Sequence, residues 1–182
     1  MSNDATSNQF DAFADELLGE RAARPLIIVG ASKVDSLLLQ ILSHHMLPKR
    51  AKSNDSDELL EGDRPLATFS ARIKLSYRLG LIDETLYVTL EQLRALRNPS
   101  AHSIAFDIAK SPTREHLAAL RKSLTHRQSF RLTRERYFSA SHLTETEELQ
   151  CLLLSLCVLL EAIREKTSVT RGNKRTLSIA SR

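Results

Sequence analysis

The chain has 182 residues, enough for one hydrophobic core with short tails. It carries only five Gly, five Pro and no Trp, is rich in Leu and charged residues, and has a net charge of +4. That composition favours helix over strand and argues against a collagen-like, low-complexity or disulfide-stapled chain.

Residues 1–8 are polar and are expected to be disordered. The next residues open the folded domain, expected over 9–166. Phe10, Phe13 and Leu17 recur at helical spacing and Gly19 is a stop signal. Pro25 suits the first turn of a second helix, which runs to about Met46 before Pro48. Gly30 follows an apolar run, but without a GxGxxG or GK[ST] pattern it makes no phosphate loop.

Residues 48–63 are polar and read as a connecting loop, with a turn of helix at 57–61. Pro65 is expected to open a helix whose buried stripe is Leu66, Phe69, Ile73 and Tyr77. Gly80 sits where a left-handed cap belongs, and Asp83 can cap the following helix. Leu86, Leu90, Leu93 and Leu96 continue that helix. Pro99 should break it, because it lacks an amide donor and crowds the carbonyl of Ala95.

Ser111-Pro112 marks a further helix start, with Leu117, Leu120 and Leu124 on its apolar side. Residues 125–142 are basic and read as irregular. Thr144 and Glu147 form a capping box for a last helix running to about Lys166. Its Leu149, Leu152, Leu153, Leu156, Leu159, Leu160 and Ile163 cover more than one face, so the helix must be surrounded. The expected architecture is therefore all-α: a single-domain helical bundle around a long apolar C-terminal helix.

Cys151 and Cys157 lie roughly 9 Å apart along that helix and about 120° apart around it, beyond disulfide reach. Both read as small core hydrophobes. No metal site and no cofactor is expected. The longest apolar run, Cys151–Leu160, is too short for a bilayer, and residues 1–24 lack the pattern of a signal peptide. A cytoplasmic location without membrane association follows as the expectation.

Charge is unevenly placed. Residues 167–182 form a basic tail expected to be disordered, and residues 114–136 hold seven Arg/Lys against Glu115 and Glu135, a net +5. Arg121, Lys122, Arg127, Arg131 and Arg134 are the candidates for contacting nucleic-acid phosphates in a sequence-tolerant way.

The stretch from Pro65 to Ile82 reads PLATFSARIKLSYRLGLI, and Leu96-Arg97-Asn98-Pro99-Ser100-Ala101-His102 follows it. Both segments resemble the bacterial mannitol-operon repressor (MltR) family, over roughly residues 16–130. The resemblance implies a helical fold and regulation of a sugar-alcohol operon, with a protein partner or homodimer. It implies no obvious DNA-reading module, and the residues agree. A recognition helix beginning at Asp83-Glu84 would meet phosphates with negative charge.

Arg97, Asn98 and His102 also resemble the R-x4-6-H motif of HEPN-type ribonucleases, as in toxin or phage-defence systems. In such metal-independent chemistry a His moves the 2′-hydroxyl proton while an Arg holds the phosphate. The side chains would point about 140° apart in a straight helix, so the expected break at Pro99 decides whether they can meet. Regulation through macromolecular binding is the leading expectation; the endoribonuclease is the alternative.

Overall fold

The computed structural model describes residues 2–46, 59–60, 62–104 and 106–170. Among them are seven helices and no strand: α1 Ser2–Gly19, α2 Ala23–His45, α3 Phe69–Arg78, α4 Glu84–His102, α5 Thr113–Leu124, α6 Gln128–Tyr137 and α7 Glu145–Thr170. The all-α single-domain bundle is thus what the apolar pattern demanded.

The bundle is built on α2 and α7. Leu149, Leu152, Leu153, Leu154, Leu156 and Leu160 are buried, as are Cys151 and Cys157 between them. Against α7 lie α2, α6, α5 and α1, and α4 covers another side of α2. Helix α2 contributes Leu26, Ile27, Val34, Leu37, Leu38, Ile41 and Leu42 to the core. Where α2 and α7 meet, Gly30 faces Leu153, and a Cβ at Gly30 would lie 2.9 Å from both Leu153 methyls. Glycine here lets two backbones approach, which justifies a residue that weakens a helix interior.

Helix α2 is also long and apolar enough to cross a membrane by length and composition, with a mean hydropathy of 1.6 over its best 18-residue window. Half of that window is buried inside the bundle. Among the described residues α2, and not the apolar run Cys151–Leu160, is the segment that reaches this length and hydropathy.

Local cap chemistry sets several boundaries. Thr68 accepts from the Ala71 amide and starts α3 four residues past the Pro65 start expected from sequence. Gly80, at φ +69°, closes α3 as Leu81 N–H donates to Ser76 O and Gly80 N–H to Tyr77 O, both at 2.9 Å. Asp83 Oδ1 accepts from the Leu86 amide at 2.6 Å. In the capping box, Thr144 N–H donates to Glu147 Oε2 at 2.8 Å and Glu147 N–H to Thr144 Oγ1 at 3.3 Å. The Thr144 backbone N–H is the main reason the Glu147 carboxyl is held below its ordinary range.

Three boundaries differ from expectation. Helix α1 begins at Ser2, inside the polar stretch expected to be disordered; extending a helix already anchored by Phe13 and Leu17 is far easier than nucleating one. Helix α7 runs to Thr170, with Thr167 buried, so the expected tail is helical at its start, and 171–182 lie outside the described residues. Residues 125–142, expected to be irregular, contain α6. Its inward positions are Ser129, Phe130, Thr133 and Tyr137, of which only two are plainly apolar. Most of the 48–63 connection also lies outside the described residues. Leu60 within it is buried, and Arg72 of α3 donates to its carbonyl at 2.7 Å and to Asp35 of α2 at 2.8 Å.

Leu153→Ala is expected to cost ~2–5 kcal/mol in denaturant unfolding. Gly30→Ala alone should also destabilise, because overpacking by ~1–3 kcal/mol outweighs the helix propensity gained. In the double variant the new methyl occupies space that Leu153 vacates, so the two costs should sum to less than additivity. Strict additivity would show that the two residues do not share a contact.

Candidate functional site

The Arg97–Asn98–His102 cluster sits at the end of α4, and the helix does not break at Pro99. Ser103 N–H still donates to Pro99 O at 2.9 Å, and Ser100 Oγ donates to Leu96 O at 2.8 Å. Arg97 is half-buried, whereas Asn98 and His102 are exposed. On an unbroken helix Arg97 and His102 diverge by about 140°. The expected bend that would bring them together within one chain is therefore corrected.

The physical reason lies outside α4. Arg24, from the first turn of α2, directs its guanidinium at the end of α4. Its Nε donates to Ser100 O at 2.8 Å and its Nη2 to Ser103 O. The same guanidinium lies over the Phe106 ring, 5.7 Å from its centroid. Arg24 thus supplies the donors for carbonyls at the end of α4. A sequence signal existed. A cation in a helix's first turn opposes the macrodipole and needs compensation elsewhere.

The phosphate-contact candidates lie on α5, on α6 and between them. Arg121 is bound by Glu148 of α7, Nε to Oε1 at 2.5 Å and Nη2 to Oε2 at 2.6 Å. Arg127 donates to Ser123 O at 3.2 Å, and Arg134 donates to Ala140 O and Ser141 O at 3.2 and 2.6 Å. Lys122 and Arg131 are exposed and unpaired among the described residues. Asp11 pairs with Arg136 at 2.8 Å. Counting Asp11 and Glu148 with Glu115 and Glu135 reduces the segment's net charge from +5 to +3. The acids that neutralise it come from α1 and α7, far away in sequence.

Both cysteines are buried in the core. Burial pushes both the Cys151 and Cys157 thiols up to about 12. Among the described residues no group of three or more His, Cys, Asp or Glu could hold a metal ion. A shallow cleft of about 210 Å³ at the α1–α2 turn is lined by Glu16, Leu17, Gly19, Glu20 and Val29. Gln150 of α7 directs its amide NH2 at the carbonyls of Leu17, Leu18 and Glu20, at 3.2, 3.1 and 2.9 Å, which fixes that turn. The helix-turn-helix-like pair α3–α4 is likewise committed to the core. Leu86 and Leu90 are buried, and the Asp83 carboxylate is occupied as a cap.

These features define an all-helical protein whose polar groups chiefly hold helix ends. Two solved structures share this fold. One is a possible transcriptional regulator, YggD, from Shigella flexneri 2a str. 2457T, with 14% identity and a TM-score of 0.61, covering 85% of this chain and 98% of that one. The other is the MtlR–HPr complex from Escherichia coli, with 19% identity and a TM-score of 0.57 over the same shares. No family model and no curated protein matches the sequence.

Two measurements check this site. Arg24→Ala should lower stability by about 1.5–3 kcal/mol, since charge-assisted hydrogen bonds to half-buried carbonyls are lost, while Arg97→Ala should cost less than about 1. The reverse order would show that Arg97, and not Arg24, holds the end of α4. Both thiols should resist a water-soluble disulfide reagent at pH 8 until the chain unfolds. Because the folded thiols ionise near 12, against about 9 when unfolded, their contribution to stability is complete below pH 9 and is lost as the pH rises toward 12.

Proposed function

We propose that this chain is a cytoplasmic regulatory protein of the mannitol-repressor type that acts by binding a macromolecule. The supporting observation is a fold shared with a possible transcriptional regulator and with MtlR of the MtlR–HPr complex, over 85% of this chain and 98% of each of those. The more specific part of the proposal is a protein partner of the HPr kind and control of a sugar-alcohol operon. Nucleic acid has a secondary place, held through phosphates by Lys122 and Arg131 on a face whose net charge is modest. The divergence of Arg97 and His102 on an unbroken α4 gives the ribonuclease reading no support within one chain.

The direct test is calorimetric titration of the purified protein with HPr from the same organism. Saturable binding is expected; its absence would remove the partner named here. In parallel, duplex DNA should bind without sequence preference and with a log–log salt slope shallower than about −3, because roughly three phosphates at most can be neutralised. RNA cleavage in metal-free buffer that disappears in His102→Ala would overturn the proposal in favour of the nuclease.

A further inference from the structure

Three of the large apolar side chains left exposed among the described residues gather at the α3–α4 corner: Tyr77, Leu79 and Val88, at 37%, 41% and 48%. The rings of Tyr77 and Tyr87 lie 4.8 Å apart and join the two helices into one apolar seam. Exposed patches of this kind mark interaction surfaces.

The charges beside the seam indicate what covers it. Lys74, Tyr77 and Arg78 on α3 have the same spacing as Glu84, Tyr87 and Val88 on α4, ten residues later. At i, i+3 and i+4 each triplet shares one side of its helix. The α3 side is basic, and the α4 side is acidic through Glu84 and the neighbouring Asp83. Lys74, Arg78 and Glu84 are exposed and make no ion pair among the described residues. Opposite charges therefore flank the seam without neutralising each other.

Such a face is complementary to itself. A two-fold axis along the α3–α4 seam lays α3 of one copy on α4 of the other. Lys74 and Arg78 then meet Glu84, and Glu84 meets Lys74 and Arg78, the reciprocal pairing an isologous contact requires. We propose that the α3–α4 corner is the surface through which two copies of this chain pair, with the tyrosines, Leu79 and Val88 as the apolar centre. This is independent of the regulatory function proposed above.

Sedimentation velocity of the full chain across a dilution series tests it. The wild type should show a reversible monomer–dimer equilibrium. Glu84→Lys alone, or Lys74→Glu with Arg78→Glu, places like charges across both halves of the contact and should weaken pairing roughly tenfold or more. Mixed in equal amounts, the two variants should pair again, because each α3 then faces an α4 of opposite charge. That recovery also shows that both variants are folded. A wild type that stays monomeric, a dimer indifferent to both variants, or variants that fail to recover on mixing would each overturn the proposal.

Discussion

The close approach of α2 and α7 at Gly30 and Leu153 is the constraint on which the remaining architecture depends. With no side chain at Gly30, Leu153 can sit against the α2 backbone. Both helices are then apolar on sides that the other cannot cover, and the remaining helices cover those sides. Helix α4 packs on α2, α6 on α7, and α5 bridges α4 and α7. The same contact explains why α2 has the length and hydropathy of a membrane span. A helix surrounded in a bundle needs apolar residues around much of its circumference, as a lipid-exposed one does.

Packing of this kind fixes how helices cross but constrains their ends weakly, because apolar contacts are not directional. Some ends are set by local caps, and others by polar side chains reaching from other helices. Arg24 of α2 holds the end of α4, and Gln150 of α7 holds the end of α1. Arg72 of α3 ties Asp35 of α2 to the Leu60 backbone. Each donor serves carbonyls left without partners where regular structure stops. A directional bond across 76 or 130 residues of sequence excludes slipped arrangements that the leucines alone would tolerate.

This division explains what the sequence revealed. Where a structural cause lies within a few residues, it was readable: the Gly80 turn, the Asp83 cap, the Thr144–Glu147 box and the apolar saturation of α7. Helix α6 shows no hydrophobic period, because Ser129 and Thr133 occupy half of its inward face. Pro99 presents the opposite case. Its missing amide donor is plain from sequence, but the helix continues through it and the carbonyls at the helix end are satisfied by Arg24, whose proximity no local rule predicts. The basic middle segment looked more cationic than it is, because Asp11 and Glu148 come to it only through tertiary structure. Of the candidate site, residue types were legible while mutual orientation was not.

Orientation also separates the two functional readings. Metal-free cleavage of RNA needs a proton-transferring group and a phosphate-holding cation converging on one point. On an unbroken α4, Arg97 and His102 diverge, and the cation that reaches the helix end, Arg24, is already bonded to carbonyls. Convergence would then require a second chain supplying one of the two groups. The self-complementary face at the α3–α4 corner involves the opposite end of α4, beginning at Glu84, with Lys74 and Arg78 of α3. His102 lies eighteen residues further on, about 27 Å along a regular helix. Pairing through that corner therefore places the charged contacts at one end of α4 and the Arg97–His102 pair at the other. The side chains proposed to meet are those around the α3–α4 turn, and neither Arg97 nor His102 is among them.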